Sequence, residues 1–197
     1  MHAHTNEAFQ QVTDEEMASL SRGRWYRTRT IAYWIFTVLL VFELVAGSVW
    51  NLSQIEWVHI QLKHLGYPLY FAYILGVWQI GGAAVIIAPR FPRVKEWAYA
   101  GAFFEFSGAF ASHLLAGDSP AAWRVPLVYA AFVIMSWALR PADRCLSYAG
   151  LASETRPPAW ALPIAILLFL YVVAYLTLPA VNIAMHKRAL DLGWIAR

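Results

Sequence analysis

The stretch WAYAGAFFEFSGAFASHLLA, residues 97–116, decides the fold, because it is apolar enough to cross a membrane yet carries Glu105 near its middle. A transmembrane helix needs about 20 largely apolar residues. The stretch IAYWIFTVLLVFELVAGSVW, residues 31–50, carries Glu43 in the same way. A charge at such depth costs at least ~2.5 kcal/mol, and such residues usually face a bundle interior. Both glutamates are therefore candidate functional groups.

Five stretches of suitable length predict an all-α integral membrane protein with five transmembrane helices and no soluble domain. The connections divide the chain further into a polar and basic leader (residues 1–30), an outer loop (51–66), a cytoplasmic loop (141–159), and a region with the fifth helix and tail (160–197). The five spans are residues 31–50, 69–88, 97–116, 123–139 and 160–180.

Composition agrees with this class and excludes others. Hydrophobic residues make up 60% of the chain and charged residues 14%, with a formal charge of +3. The charged share is roughly half that of soluble proteins. The basic residues cluster beside the apolar stretches, which indicates a topology signal and not a nucleic-acid surface. Cys145 is the one cysteine, which excludes an internal disulfide and a CxxC redox pair.

Lysine and arginine placement predicts the orientation, because cytoplasmic connections carry an excess of these residues. Four arginines precede the first span, and further basic groups follow the second and the fourth. The N terminus is therefore expected in the cytoplasm and the C terminus outside, in what we expect to be a bacterial inner membrane. The basic tail, with Lys187 and Arg188, opposes this orientation for the last helix.

Two segments outside the spans also predict helices. In the leader, Thr13 is a candidate N-cap with Glu16 at the capping-box position, although a disordered tail with a short helix explains the same residues equally well. In the outer loop, apolar residues recur at helical spacing, so residues 51–66 are expected to form a lid helix on the outer face. Trp50 and Trp57 suit the membrane interface.

The third span predicts that Glu105 points inward. Gly101, Glu105, Gly108 and Ser112 share one helical stripe, and small residues at such spacing let another helix approach closely. Glu43 shares its face with larger groups, including Trp50. The alternative for both glutamates is a structural role, in which each is protonated or hydrogen-bonded to a neighbouring helix.

Polar side chains from all five spans are expected to lie at one depth. At 1.5 Å per residue from the cytoplasmic end, Glu105 lies about 13 Å deep, Gln79 about 15 Å, Tyr129 and Tyr171 about 16 Å, and Glu43 about 20 Å. An unsatisfied polar group in hydrocarbon costs several kcal/mol, so these groups need partners, and this need alone could explain Gln79 and the tyrosines. The candidate ligand-binding residues are Gln79, Tyr129, Tyr171, Trp50 and Gly108.

Four histidines fall on the predicted outer side, and His113 lies about 25 Å deep. Imidazole is a common metal ligand, but the chain has no HExxH or CxxCH string and no pair of histidines four residues apart on one helix. We therefore interpret the outer histidines as scattered interfacial groups and assign no metal site.

These positions lead to a cavity hypothesis. We expect an outward-opening cavity floored by Glu105 and Gln79, with Glu43 on its wall. His113 would lie near the mouth, beneath the lid helix of residues 51–66.

Several strings together resemble the DoxX-like branch of the DoxX membrane proteins. They are YWIFTVLLVFELVAGSVWNL, LGYPLYFAYILGVWQIGGAAVIIAPRFPRVKEWAYAG, SGAFASHLLAGD and SWALRP, and the resemblance extends from Tyr33 to Arg144. It implies a compact four-helix membrane bundle, to which the fifth C-terminal helix is an addition. The family takes its name from a small subunit of a thiosulfate:quinone oxidoreductase.

Three functional classes remain open. The first, implied by the resemblance, is a redox-associated subunit that binds a quinone-like or other lipophilic molecule, whose electrons would come from a partner protein or a bound cofactor. The second is a membrane enzyme, of isomerase or epoxide-opening type, with Glu105, Glu43 and His113 as acid and base. The third is a proton-coupled carrier using the same carboxylates. The sequence identifies no cofactor.

Overall fold

The computed structural model describes the backbone of residues 2–141 and 158–195, and the side chains of residues 23–141 and 160–195. Every regular element in these parts is an α-helix, which confirms the predicted all-α class. The helices are α1 (His2–Leu52), α2 (Glu56–His64), α3 (Tyr70–Ile87), α4 (Pro92–Leu115), α5 (Pro120–Ala138) and α6 (Pro158–Asp191). Most of the predicted cytoplasmic loop, with Cys145, lies outside the described residues.

Four helices close into a ring. Helix α1 packs against α3 and α5, and α4 packs against the same two helices, so that α1, α3, α4 and α5 form a four-helix bundle. Buried apolar side chains from all four form one core. Helix α6 lies outside the ring, against α1 and the short α2. This is the predicted arrangement of a four-helix bundle with an added C-terminal helix.

Four segments in the described part are long and apolar enough to cross a membrane: Gly23–Leu52, Tyr70–Ile87, Pro120–Ala138 and Trp160–Asp191. Helix α4 has 24 residues, or about 36 Å, but is not among them. Glu105, His113 and several small residues lower its hydropathy. Helix α4 completes the ring but is not one of these four segments, so the crossing of the membrane by five helices stays a prediction.

Both ends of the chain are more helical than predicted. Helix α1 is continuous from His2, so Thr13 lies within a helix and the predicted N-cap is wrong. Helix α6 continues 11 residues beyond the predicted end of its span at residue 180 and contains Pro179 in its interior. Packing of Val181 and Met185 near α2 stabilises this extension, although a proline removes one helical hydrogen bond.

Polar contacts join α4 to its neighbours at the end opposite α2. Lys95, only 1% exposed, donates from Nζ to the carbonyl oxygens of Val85 and Ile86, at 2.6 Å each, where α3 ends. Glu96 forms a 2.6 Å ion pair with Arg140, which follows α5. A cation near a helix C-terminus satisfies carbonyls that have no partner within the helix. These contacts fix the register of α4 and hence the position of Glu105.

Candidate functional site

A cavity of about 1140 Å³ lies within the ring of four helices and is covered at one end by α2 and the segment after α6. This exceeds the roughly 300–1,000 Å³ of most ligand pockets. Its lining is mostly apolar and aromatic, with a few polar side chains. Seven predicted site residues contribute to it: Glu43, Trp50, Gln79, Glu105, Gly108, His113 and Tyr129.

Gln79 and Glu105 form the polar centre of the cavity. The Gln79 Nε2 donates to Glu105 Oε1 at 2.5 Å, and its Oε1 accepts from Asn51 Nδ2 at 3.0 Å. A chain of side-chain hydrogen bonds therefore joins α1, α3 and α4. Gln79 is 7% exposed. Its amide fits against α1 because Gly47 has no side chain; a Cβ at that position would lie 2.7 Å from Gln79 Nε2.

Glu43 lies close to this centre on α1. Its carboxyl group lies close to the hydroxyl of Tyr129 on α5 and near enough to Glu105 to interact with it electrostatically. The two carboxyl groups thus face one space from opposite sides of the ring. Within the described part of the chain, Oε2 of Glu105 has no hydrogen-bond partner, so it can bind a ligand.

Tyr171 does not line the cavity. It lies on α6, outside the ring, where its hydroxyl is 3.2 Å from Ser48 Oγ. The depth estimate could not give the direction of this side chain, because depth alone does not say which helices are neighbours.

The predicted role of the small residues on α4 is wrong. Gly101 and Gly108 have no heavy atom within 4 Å of the position that a Cβ would take, so no helix approaches them closely. Both line the cavity. The stripe creates empty space instead of a tight helix contact, and Glu105 points inward across that space.

Asp118 connects three elements at the end of the cavity that α2 covers, which is the end predicted to face outward and is called the outer end below. Its Oδ2 accepts from His113 Nδ1 of α4 at 2.8 Å, and its Oδ1 accepts from His64 Nε2 of α2 at 2.9 Å. Trp194, after α6, donates from Nε1 to Oδ1 at 3.1 Å. The Trp194 ring also stacks on both imidazoles, with centroids 4.7 Å from His64 and 5.4 Å from His113. We call these four residues the outer cluster.

The outer cluster sets the charge of Asp118. Partial burial would raise the pKa of this carboxyl, but hydrogen bonds from His113, Trp194 and His64 outweigh it and hold the pKa of Asp118 below its usual range. The remaining nitrogen of His113, Nε2, lies 3.2 Å from Gln61 Nε2. The amide nitrogen of Gln61 can only donate, so His113 Nε2 accepts from it. His113 Nδ1 then carries the hydrogen that is donated to Asp118, which is the neutral tautomer of the ring.

The interpretation of the histidines as scattered groups is wrong. His64 and His113 share Asp118, and His186 Nδ1 lies 3.1 Å from Glu56 Oε2. His59 does not line the cavity, and its Nε2 is buried with no hydrogen-bond partner among the described residues. In the same part of the chain, no group of three or more His, Cys, Asp or Glu side chains could hold a metal ion.

Sequence reasoning missed many of the lining residues, and Asn51, Arg188 and Trp194 show why. Asn51 lies at the last turn of α1, beyond the predicted span. Arg188 and Trp194 lie beyond the predicted end of the fifth span, and only the extension of α6 brings them back over the bundle. Nothing in the sequence signals that Trp194 would reach Asp118, which is 76 residues away in the chain.

The fold and this cavity define a class: an all-α membrane protein with polar groups inside an apolar bundle. The family model described as the DoxX-like family matches residues 35–136, which is more than half of the chain. The chain therefore belongs to the DoxX-like family. The match covers the last part of α1, all of α2, α3 and α4 and nearly all of α5, and it excludes α6. No curated protein and no solved structure gives a significant match to the chain.

Proposed function

We propose that this protein binds a lipophilic small molecule in the cavity, with the polar group of the ligand at Glu105. One observation carries the proposal. A carboxylate oxygen without a partner among the described residues lies inside an apolar cavity of about 1140 Å³, next to a Gln79 amide that already holds the other oxygen. Apolar pockets with a few convergent polar groups are the usual form of small-molecule sites.

A quinone-like molecule has the shape and polarity for such a site. Its apolar part would contact aromatic lining residues such as Phe106 and Trp50. A ring carbonyl would accept from Gln79, and a ring hydroxyl of the reduced form would donate to Glu105. The redox association rests on the family resemblance. Since the side chains here offer no evident redox centre, electrons would reach the site through a partner protein or the bound molecule itself.

Mass spectrometry of gently purified protein tests the proposal. We expect wild-type protein to carry a lipophilic molecule, and Gly108→Leu to lose it, because the introduced side chain would project into the cavity. The matched control is Ala111→Leu, at an exposed position on α4 that does not line the cavity. Equal occupancy in both variants, or no bound molecule in wild type, would refute the proposal.

A second candidate, an acid–base enzyme, is favoured by the bond between His113 Nδ1 and Asp118. A carboxylate that fixes the tautomer of a buried imidazole prepares its other nitrogen to take a proton. His113 lines the cavity, as do Glu43 and Glu105. Identification of the bound molecule separates the two candidates, because an enzyme ligand would contain a bond that proton transfer can rearrange or open.

A further inference from the structure

The cavity lining is most exposed on the side of α3 and α4, although Val125 of α5 and Tyr67 before α3 are also 39% and 38% exposed. Five lining residues have large exposed fractions, among them Trp97 at 81%, Phe104 at 70% and Trp78 at 67%. All five lie on α3 or α4, the others being Val77 and Val94. Trp78 and Phe104 lie near the middle of their helices, so the opening is at the depth of the membrane interior.

The outer end is closed, in contrast to the expected outward opening. The lining residues Trp57 and Leu62 of α2 are 8% and 6% exposed, and His113 is 2% exposed. The outer cluster holds these elements together through Asp118. Water-soluble molecules therefore have no comparable entrance from that face.

Glycines keep the opening between α3 and α4 clear. Gly81 on α3 and Gly101 on α4 are exposed, line the cavity and have no heavy atom within 4 Å of a Cβ position. Three polar contacts cross this seam on either side of the two glycines. Lys95 bonds to the end of α3 on one side, and on the other side Gln79 bonds to Glu105 and the Tyr67 hydroxyl to Ser112 at 2.8 Å. Of the four seams in the ring, this is the least closely packed.

Charge inside the cavity restricts the ligand. Glu43 and Glu105 face the central space, and Arg188 is the one Lys or Arg among the lining residues of the described chain. Arg188 lies at the outer end, where it donates to the Ala121 carbonyl at 2.8 Å. An anionic group at the centre would lie beside two carboxyl groups with no nearby cation to pair with it, and an unpaired charge in a low-dielectric site is costly.

We infer that the ligand is an amphiphile dissolved in the bilayer, which enters sideways between α3 and α4 and places a hydroxyl or amine group, not an anion, against Glu105. This inference rests on the proposed function and adds its route and ligand chemistry. The apolar part of the molecule lies along the seam lined by Trp78, Phe104 and Gly101. A reduced quinone, with its hydroxyl groups, is one member of this class.

Spin labelling tests the route independently of any ligand. In a Cys145→Ser background, a nitroxide is attached to Gly101→Cys in lipid nanodiscs, and its collision rates with oxygen and with a water-soluble nickel chelate are measured. A bilayer-facing opening gives a high oxygen rate and a low nickel rate, equal to those of the lipid-facing control Ala100→Cys. A nickel rate several-fold above that control would overturn the lateral route.

Photoactivatable probes test the chemistry. We use three probes, each a long alkyl chain carrying a diazirine, that differ only in an alcohol, amine or carboxylic acid head. The alcohol and amine should crosslink to α3 and α4 several-fold more than the acid, and Gly108→Leu should reduce that labelling. Preferential labelling by the acid would overturn this inference but leave the proposed function intact if purified protein still carries a bound molecule. Absence of both labelling and a bound molecule would remove both.

Discussion

Glu105 is held by a single hydrogen bond among the described residues, so its replacement separates packing from ligand binding. Glu105→Gln keeps an oxygen that can accept from Gln79 and should leave the bundle assembled. It replaces the unpartnered oxygen that the ligand meets with an amide nitrogen, which cannot accept a hydrogen bond, and a buried polar group left without its partner costs about 1–3 kcal/mol. We expect occupancy by the bound molecule to fall about ten-fold, measured by mass spectrometry.

Tyr171→Phe is the matched control, since it removes one polar atom at a similar predicted depth outside the cavity. It should leave occupancy unchanged. If Glu105→Gln retains full occupancy, Glu105 is a packing residue. If that variant fails to assemble, its bond to Gln79 is structural.

Gly47 makes room for the Gln79 amide. Gly47→Ala places a methyl group 2.7 Å from Gln79 Nε2 and should displace that side chain from Glu105. Gly101→Ala is the control, because its methyl group meets nothing. Both changes raise helix propensity by about 1 kcal/mol. The difference in their thermal stability in detergent therefore isolates the clash, expected to cost about 1–3 kcal/mol. Equal stabilities would show that Gln79 has another good position.

At residue scale, helical rise allowed Gln79 and Glu105 to be placed together on the cavity floor, although the hydrogen bond between them was not predicted. The sequence did not show that Tyr171 lies outside the cavity, since the direction of a side chain depends on which helices are neighbours. The partners of Asp118 could not be predicted either, because they come from three segments that only the folded chain brings together.

At the scale of elements, Asp118 connects α2, α4 and the segment after α6. Asp118→Asn keeps the size of the side chain but removes the charged acceptor of three hydrogen bonds, at a cost of about 1–3 kcal/mol. We expect faster hydrogen exchange in α2, with the ring helices unaffected. Asp191→Asn, on the exposed end of α6, is the control. Unchanged exchange in α2 would show that apolar packing alone holds it.

The hydrogen bonds of Asp118 also predict that the stability of the protein depends on pH. The folded pKa of Asp118 lies below its ordinary value of about 3.9, so its contribution is present above that pH and is lost as the pH falls through the lower, folded pKa. The difference in melting temperature between wild type and Asp118→Asn should be constant between about pH 5 and 6 and should vanish in more acid solution. A difference that persists at acid pH would contradict this assignment.

Element boundaries follow the sequence where apolar runs end at prolines, as for α3, which lies within one residue of the prediction at each end. They depart where a helix continues without an apolar run. Helix α6 passes Pro179 because its later turns pack near α2. Local signals for a helix end were outweighed there by tertiary contacts.

At the scale of the whole molecule, the number of crossings decides where the termini lie. If α4 crosses the membrane with the four apolar segments, tags at the two ends should be accessible from opposite sides, with the N terminus in the cytoplasm. Protease protection of tagged protein in oriented vesicles measures this. Both tags on one side would contradict five crossings, and would mean that α4 or another helix does not cross the membrane.

The central claim is that the ring encloses a ligand site, and an experimental density map of the protein in lipid nanodiscs tests it most directly. The account predicts elongated density inside the ring, with a polar end within hydrogen-bond distance of Glu105 and an apolar part directed to the seam between α3 and α4. A closed interior, with α3 packed against α4 and both Glu43 and Glu105 fully hydrogen-bonded to protein, would contradict it.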